Sequence, residues 1–440
     1  MNIFFKQLVT VTMIFFVFTG ASECRAEVEK AILTLEAAVQ EGIKNNTLIS
    51  EAIENERAAV ENEKSARASL FPSLTASYGY TRMKDAPYVI LGPYPQVDIG
   101  KKNSISWDVT VTQPLFTGFS MTTRRKIAAL GVDIQGIEKE QAVLDVAKQV
   151  KIAYFQILLV RRATEVAEEE VKQLEGHAND AEQFYAQGIV PYNDLLKSQV
   201  ALARARQDKV SVDSDLIVSI SALNTLIRRD IIENTNIEEI PPFQPSHYEI
   251  SSLFEEAVQK RPELKLLNET LKQADLQIRL ARSTYYPRIY LNGRYEQTGD
   301  NLGATNNDFA NDHNSSVTLQ ATWPFFESGK KHAEVRKASH QRAALKEKIQ
   351  GVTDSILLEV RDTFQKLKVA ETNIHTAREA LVQAKENFRI TNLQYREGVT
   401  TSTEVLDART FLTQAEVNLN KALYGYRIAE AKLKRAVGEK

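Results

Sequence analysis

The sequence predicts an α + membrane β chain, with four short strands and two very long helices laid out in two tandem copies. Three observations predict it. Segments alternate apolar and polar residues, apolar seams recur with a period of about 3.5 residues, and the chain resembles itself at a spacing of about 210–215 residues.

The chain has 440 residues, a formal net charge of −2 and 43% hydrophobic residues. No basic patch dominates, which argues against nucleic acid as a partner. At the start, "MNIFFKQLVTVTMIFFVFTGASECRA" places Lys6 before an apolar run from about Leu8 to Phe18, and small residues end at Ala26. A run of about a dozen apolar residues is too short for a bilayer helix and suits a secretory signal. Residues 1–26 are read as a signal peptide that takes Cys24 with it. Lipidation of Cys24 is the other reading, and Glu23 in front of it speaks against that. No later stretch approaches the roughly 18 consecutive apolar residues of a membrane helix. An exported chain of this kind crosses a membrane with strands.

Self-comparison divides the rest. "AVQEGIKNN" from Ala38 parallels "AVQKRPELK" from Ala257, and Pro72 matches Pro287. "TVTQPLFTG", with Pro114, matches "LQATWPFFESG", with Pro324. The first repeat is 27–228, the second 251–440, and the proline-bearing segment 229–250, with Pro241, Pro242 and Pro245, is a linker that no continuous helix can cross.

The predicted strands lie at about 73–83, 105–115, 288–298 and 315–325, where period two holds. Leu74, Ala76, Tyr78 and Tyr80 alternate with Thr75, Ser77, Gly79 and Thr81. Ile105, Trp107, Val109 and Val111 form a second apolar set, Ile289, Leu291, Gly293 and Tyr295 a third, and Val317, Leu319, Ala321 and Trp323 a fourth. Alternation alone also suits a soluble sheet on a core. Length, aromatic residues toward the strand ends and long polar loops favour lipid on the apolar side. Four strands cannot close a barrel, and open edges cannot stand in lipid, so the chain shares its barrel with copies of itself. Two copies give eight strands with a filled interior; three give twelve and an aqueous passage.

The long helices are expected from about Met121 to Gln187 and from about Lys330 to Glu397. At ~1.5 Å per residue each reaches on the order of 100 Å. Ala167, Val171, Leu174, Ala178, Ala181 and Tyr185 step by three and four in the first, as do Ile374, Ala377, Leu381, Ala384, Phe388, Thr391 and Tyr395 in the second. Each helix stops at a glycine, in "FYAQGIVPYNDLL" and "LQYREGVTTSTEVLDAR", and restarts at once. Gly188 and Gly398 read as helix C-caps. Glu404 and Asp407, three apart, share one face of the restarted helix, where like charges repel.

The signal peptide, the two copies of helix–strand–strand–long helix, "QPLF", "YREG" and "EVLDAR" together make the chain resemble the TolC family of outer-membrane efflux proteins. That resemblance covers essentially the whole mature chain. It implies a homotrimer whose twelve-stranded barrel spans the outer-membrane lipid and continues as a periplasmic α-helical coiled-coil tunnel. It further implies docking of a periplasmic adaptor, or membrane fusion, protein and an inner-membrane transporter at the tips Gly188, Ile189, Gly398 and Val399. By the same resemblance Glu404 and Asp407 form an acidic gate ring, and Asp194 and Tyr395 belong to a gate latch. The latch arginine of the family falls at Thr400, so one latch contact is missing here. On the residues alone, the two acids also suit a solvated first helical turn, and Asp194 could simply pair with Lys197.

Enzyme chemistry finds no footing. His177, His247, His313, His332, His340 and His375 are scattered without metal-ligand spacing, so neither metal nor cofactor is expected. Gly329-Lys330 lacks the upstream glycine of a phosphate loop, and there is no G-x-S-x-G. The rival reading is a soluble periplasmic coiled-coil protein such as an adaptor, which leaves the four amphipathic strands unexplained.

Overall fold

The computed structural model describes residues 32–240 and 245–440. The signal-peptide expectation for 1–26, Cys24, Pro241 and Pro242 lie outside the described residues. The first half opens with α1 (Leu35–Asn45) and α2 (Thr47–Ala68), where the sequence suggests one helix. Asn46 divides them: its backbone is extended, and its side chain accepts the Leu48 N–H at 2.9 Å. An asparagine there satisfies one of the orphan donors that a new helix exposes. Next come β1 (Ser73–Arg82), a loop with the two-residue strands β2 (Tyr88–Val89) and β3 (Val97–Asp98), and β4 (Asn103–Phe116). α3 (Ser120–Ala186) and α4 (Tyr192–Ile227) close this half.

The second half runs α5 (Ile250–Lys260), α6 (Pro262–Arg282), β5 (Arg288–Gly299), β6 (His313–Thr322), α7 (Lys330–Arg396) and α8 (Ser402–Val437). Pro262 begins α6, where its missing N–H costs nothing. β6 starts and ends earlier than the alternation suggests; Trp323 and Pro324 lie beyond the ladder. Pro324 has no N–H to give a neighbouring strand. The long helices have 67 residues each and the returning helices 36 each, so the two halves match in length.

β1, β4, β5 and β6 form one antiparallel sheet in that order. The register brings the alternating sets into phase: Leu74 faces Val111, Tyr78 faces Trp107, Val109 faces Tyr295 and Gly293 faces Val317. Because side chains alternate with period two, all four apolar sets then share one side of the sheet. That side stands open, with Leu74 72% and Val317 78% exposed. Thr75, Asp108, Arg294 and Thr318 mark the other side. Each outer strand, β1 and β6, keeps one unpaired edge in the sheet order.

All four strands meet helices at the same end, since α2 and α6 lead into β1 and β5 while β4 and β6 lead into α3 and α7. The turn into α3 passes through Gly118, at φ +62, where a Cβ would sit 2.4 Å from the Ser283 carbonyl oxygen. Only glycine allows both that conformation and that approach.

Away from the sheet, α3 packs between α4 and α8, and α8 packs on α7. One core gathers Val146, Val150, Tyr154 and Ile157 of α3 with Leu223 and Ile227 of α4 and Ala38 of α1. A second gathers Val360 and Leu367 of α7 with Leu433 and Ala436 of α8 and Ala257 of α5. The Tyr154 hydroxyl lies 2.9 Å from the Leu33 carbonyl and 2.8 Å from that of Glu238, beside a parallel bridge between Leu33 and Ile237. Part of the linker is thus held against the start of the first half.

Arginines join the halves at this level. Arg435 of α8 reaches Asp145 of α3 and Glu263 of α6, each at 2.8 Å. Arg261 reaches Glu359 of α7 at 2.7 Å and Glu263 at 3.0 Å. Burial alone would push the Asp145 carboxyl up, but the hydrogen bonds and charges of Arg435 and then Lys148 together outweigh it and hold the group below the usual carboxylate range. Arg435→Met should therefore leave Asp145 with Lys148 alone and Glu263 with Arg261 alone, and destabilise the fold by about 1–3 kcal/mol at neutral pH. A carboxyl with a depressed pKa stabilises the fold above its unfolded value and loses that contribution as pH falls through the folded one. Thermal unfolding in detergent should show the gap between parent and variant narrowing below about pH 3.9.

Candidate functional site at the helical tips

The far ends of α3 and α7 are closed in the same way. Gly188 (φ +73) donates to the Tyr185 carbonyl at 2.9 Å, and Ile189 donates to that of Phe184 at 2.9 Å. Gly398 (φ +72) donates to Tyr395 at 3.0 Å, and Val399 to Gln394 at 2.8 Å. This pair of bonds, with a left-handed glycine, satisfies the last carbonyls of a helix and turns the chain back. Ile189 and Val399 are left exposed at the two turns.

Behind the turns the halves cease to match. Tyr395 is 1% exposed and packs on His177, with ring centroids 4.8 Å apart, and on Phe184 at 5.6 Å. Tyr185, at the matching position, is 43% exposed and rests on Tyr192. Within one chain Ala167, Leu174 and Ala181 are the buried members of the first seam, and Tyr185 is not. Asp194 is buried, while its counterpart Glu404 is exposed.

The latch candidates come together only in part. Asp194 and Tyr395 are close enough for the carboxylate charge, after burial, to raise the tyrosine pKa. Yet the Tyr395 hydroxyl is buried with no hydrogen-bond partner. Asp194 instead faces Lys197 at 3.8 Å, the pairing that simple helix spacing suggests. Thr400 is half-buried in the turn. Cations reach this region from elsewhere: Arg396 lies 3.5 Å from Asp180, and Lys197 donates to the Thr403 hydroxyl at 3.0 Å.

Glu404 and Asp407 are both exposed on the first turns of α8. Asp407 borders a cavity of about 720 Å³ between α4 and α8, which Lys197, Arg204 and Asp208 also line.

Two groups escape the sequence reading. His177 is buried, and its Nε2 lies 2.8 Å from the hydroxyl of Ser402, the first residue of α8. Its position, three after Leu174 and four before Ala181, already marks it as part of the buried stripe. Arg409, 2% exposed, donates to Gln173 at 2.8 Å and lies over the Phe388 ring. Nearby Glu170 is raised above the carboxylate range by burial, with Arg409 pulling it back. A charged residue inside "EVLDAR" looks solvated in sequence, because nothing local shows that α3 covers it. Among the described residues no cluster of histidines, cysteines and acids has the arrangement of a metal site.

An open apolar sheet whose strands run directly into paired long helices, turned back at matched glycine caps, is the layout of a channel-type membrane protein. The chain belongs to the outer membrane efflux protein family, whose sequence profile matches residues 38–227 and again 253–439. The outer membrane protein TolC of Salmonella enteritidis is 22% identical over 411 residues, covering 91% of this chain and 80% of that protein. TolC of Vibrio cholerae is 24% identical over 393 residues, covering 87% and 85%. The solved CmeC outer membrane channel of Campylobacter jejuni shares the fold, with a TM-score of 0.79 over 92% of this chain and 85% of that one, at 17% identity. Family membership places the protein in the outer membrane.

The orphaned hydroxyl yields a test. Removing a buried polar atom that has no partner relieves a desolvation penalty of about 1–3 kcal/mol. Tyr395→Phe should leave amide exchange at the tip unchanged or slower. Faster exchange would mean that the hydroxyl holds a latch bond.

Proposed function

We propose that three copies of this chain form the exit duct of a tripartite efflux or type I secretion system. A twelve-stranded barrel in the outer membrane would continue as a helical tunnel through the periplasm. The observation that carries this reading is the four-stranded sheet with an open apolar face and two unpaired edges. Lipid tolerates neither edge, and three chains supply enough strands to close around water. The opposite side, with Thr75, Asp108, Arg294 and Thr318, would face the lumen.

Exposed aliphatic residues on the helices support the same assembly. Val210, Ile217 and Val218 of α4 and Leu358, Val369 and Val382 of α7 are each at least 60% exposed. Helices this long bury such stripes only along other long helices, here those of neighbouring copies. α4 is long and apolar enough to cross a membrane, with a window of mean hydropathy 1.4. Its end residues Leu223 and Ile227 nevertheless lie in the α1–α3 core, which favours a packed helix. Residues 27–228 and 251–440 are then tandem copies joined by 229–250, so the assembled ring has six similar units.

The turns at Gly188, Ile189, Gly398 and Val399 would dock the periplasmic adaptor, with the inner-membrane transporter beyond it. Glu404 and Asp407 would line the throat just inside those turns. Three chains put six carboxylates there. At about 6 Å and an effective dielectric near 20, one pair repels by roughly 3 kcal/mol, which favours cations.

Mass measurement in detergent should give three chains, and a stable monomer without detergent would rule the assembly out. Single-channel recording of Glu404→Gln with Asp407→Asn should show weaker cation selectivity and weaker block by multivalent cations from the periplasmic side, with the fold retained. An unchanged reversal potential and unchanged block would place these acids on a solvated outer turn.

A further inference from the structure

We propose that His177 is an acid-sensitive clasp: while neutral it holds the start of α8 against α3, and its protonation frees the α7–α8 tip from the α3–α4 tip. This rests on reading the turns as the gated end of the duct.

The contact joins the two hairpins. His177 lies ten residues before Gln187, which caps α3, and Ser402 opens α8, so their 2.8 Å contact bridges 225 positions of sequence at the last level before the turns. Ser402 has no exposed surface and His177 only 5%. The ring lies against Tyr395 of α7, so one imidazole on α3 touches both α7 and α8.

A neutral imidazole has one donor and one acceptor nitrogen. Nε2 is shared with Ser402, while Nδ1 is buried without a partner. A second proton creates either a buried N–H with no acceptor or a donor where Ser402 had met a lone pair. In both cases a charge is placed out of water. The charges that act on the ring are Asp180 on α3 and Asp194 on α4, and Arg396 of α7 and Arg409 of α8 line the same pocket. Asp180 already faces Arg396 at 3.5 Å and Asp194 faces Lys197 at 3.8 Å, so neither acid is free to take the new cation alone. Burial accordingly pushes the His177 pKa down, and the two aspartates offset this only in part.

The sign follows from linkage. Released, the imidazole takes up a proton near the usual value of about 6.5; clasped, it does so only at lower pH. The clasp is therefore at full strength above about pH 6.5 and weakens as pH falls toward its own lower value. Histidine is the side chain whose ordinary range makes this possible under mild acidity.

Spin labels at Ile189→Cys and Val399→Cys, in the full chain with Cys24→Ser and in detergent, report the separation of the two turns. The expected result is a shift to longer, broader distances as pH falls below about 6.5. His177→Gln, which can meet Ser402 but takes no proton, should keep the neutral-pH distance throughout. Ser402→Ala should lengthen the distance even at pH 7.5. A parent distance that ignores pH overturns the proposal. So does a response that persists in His177→Gln. Conductance recorded from the same proteins separates this from the duct reading. A pH-dependent tip without any channel removes the duct and keeps the clasp, whereas a channel with a pH-blind tip does the reverse.

Discussion

The pairing of β4 with β5 is the constraint on which the rest of the structure depends. Among the described residues it is the one ladder that joins a strand of the first half to a strand of the second, from Ile105 opposite Gly299 to Phe116 opposite Ile289. Because β4 feeds α3 and β5 is fed by α6, this ladder sets α3 beside α6 and, further along, beside α8. It also decides which edges remain open. With β4 and β5 in the middle, β1 and β6 are left outermost, and any closed barrel must be completed by other copies.

A second joint, about half-way down the helices, keeps that arrangement in line. Arg435, Arg261, Asp145, Glu263 and Glu359 come from α3, α5–α6, α7 and α8 and meet where the two apolar cores approach each other. Apolar contacts alone tolerate sliding of one helix along another. Charge-assisted bonds with fixed geometry do not, so they fix the register of helices on the order of 100 Å long.

At the tips the same layout of residues serves different ends. Tyr395 is buried because α3 lies across it with His177 and Phe184; Tyr185 rests on Tyr192 of α4 and keeps its other side exposed. In the proposed ring that side would meet another copy. The acids divide likewise, Asp194 under cover beside Lys197 and Glu404 in the open. Similarity in sequence thus becomes asymmetry in chemistry, since a repeat inherits its residues but takes its neighbours from its place in the chain.

Much of the architecture is legible in the sequence. Period-two alternation places the four strands within a few residues, and period 3.5 seams and glycine stops place α3 and α7 almost to their ends. These are local properties, determined by side-chain spacing and backbone conformation along one segment. Asn46 and Pro262 as helix dividers are also local, though easily read past inside a longer pattern. Tertiary structure alone decides which strands meet, that β6 stops before Trp323, and which tip residues are buried. It makes His177 and Ser402 partners across 225 positions, sinks Arg409 beneath α3 and leaves the Tyr395 hydroxyl without a bond. The physical reason is that burial and pairing depend on what a distant segment brings alongside. No spacing within one helix carries that information.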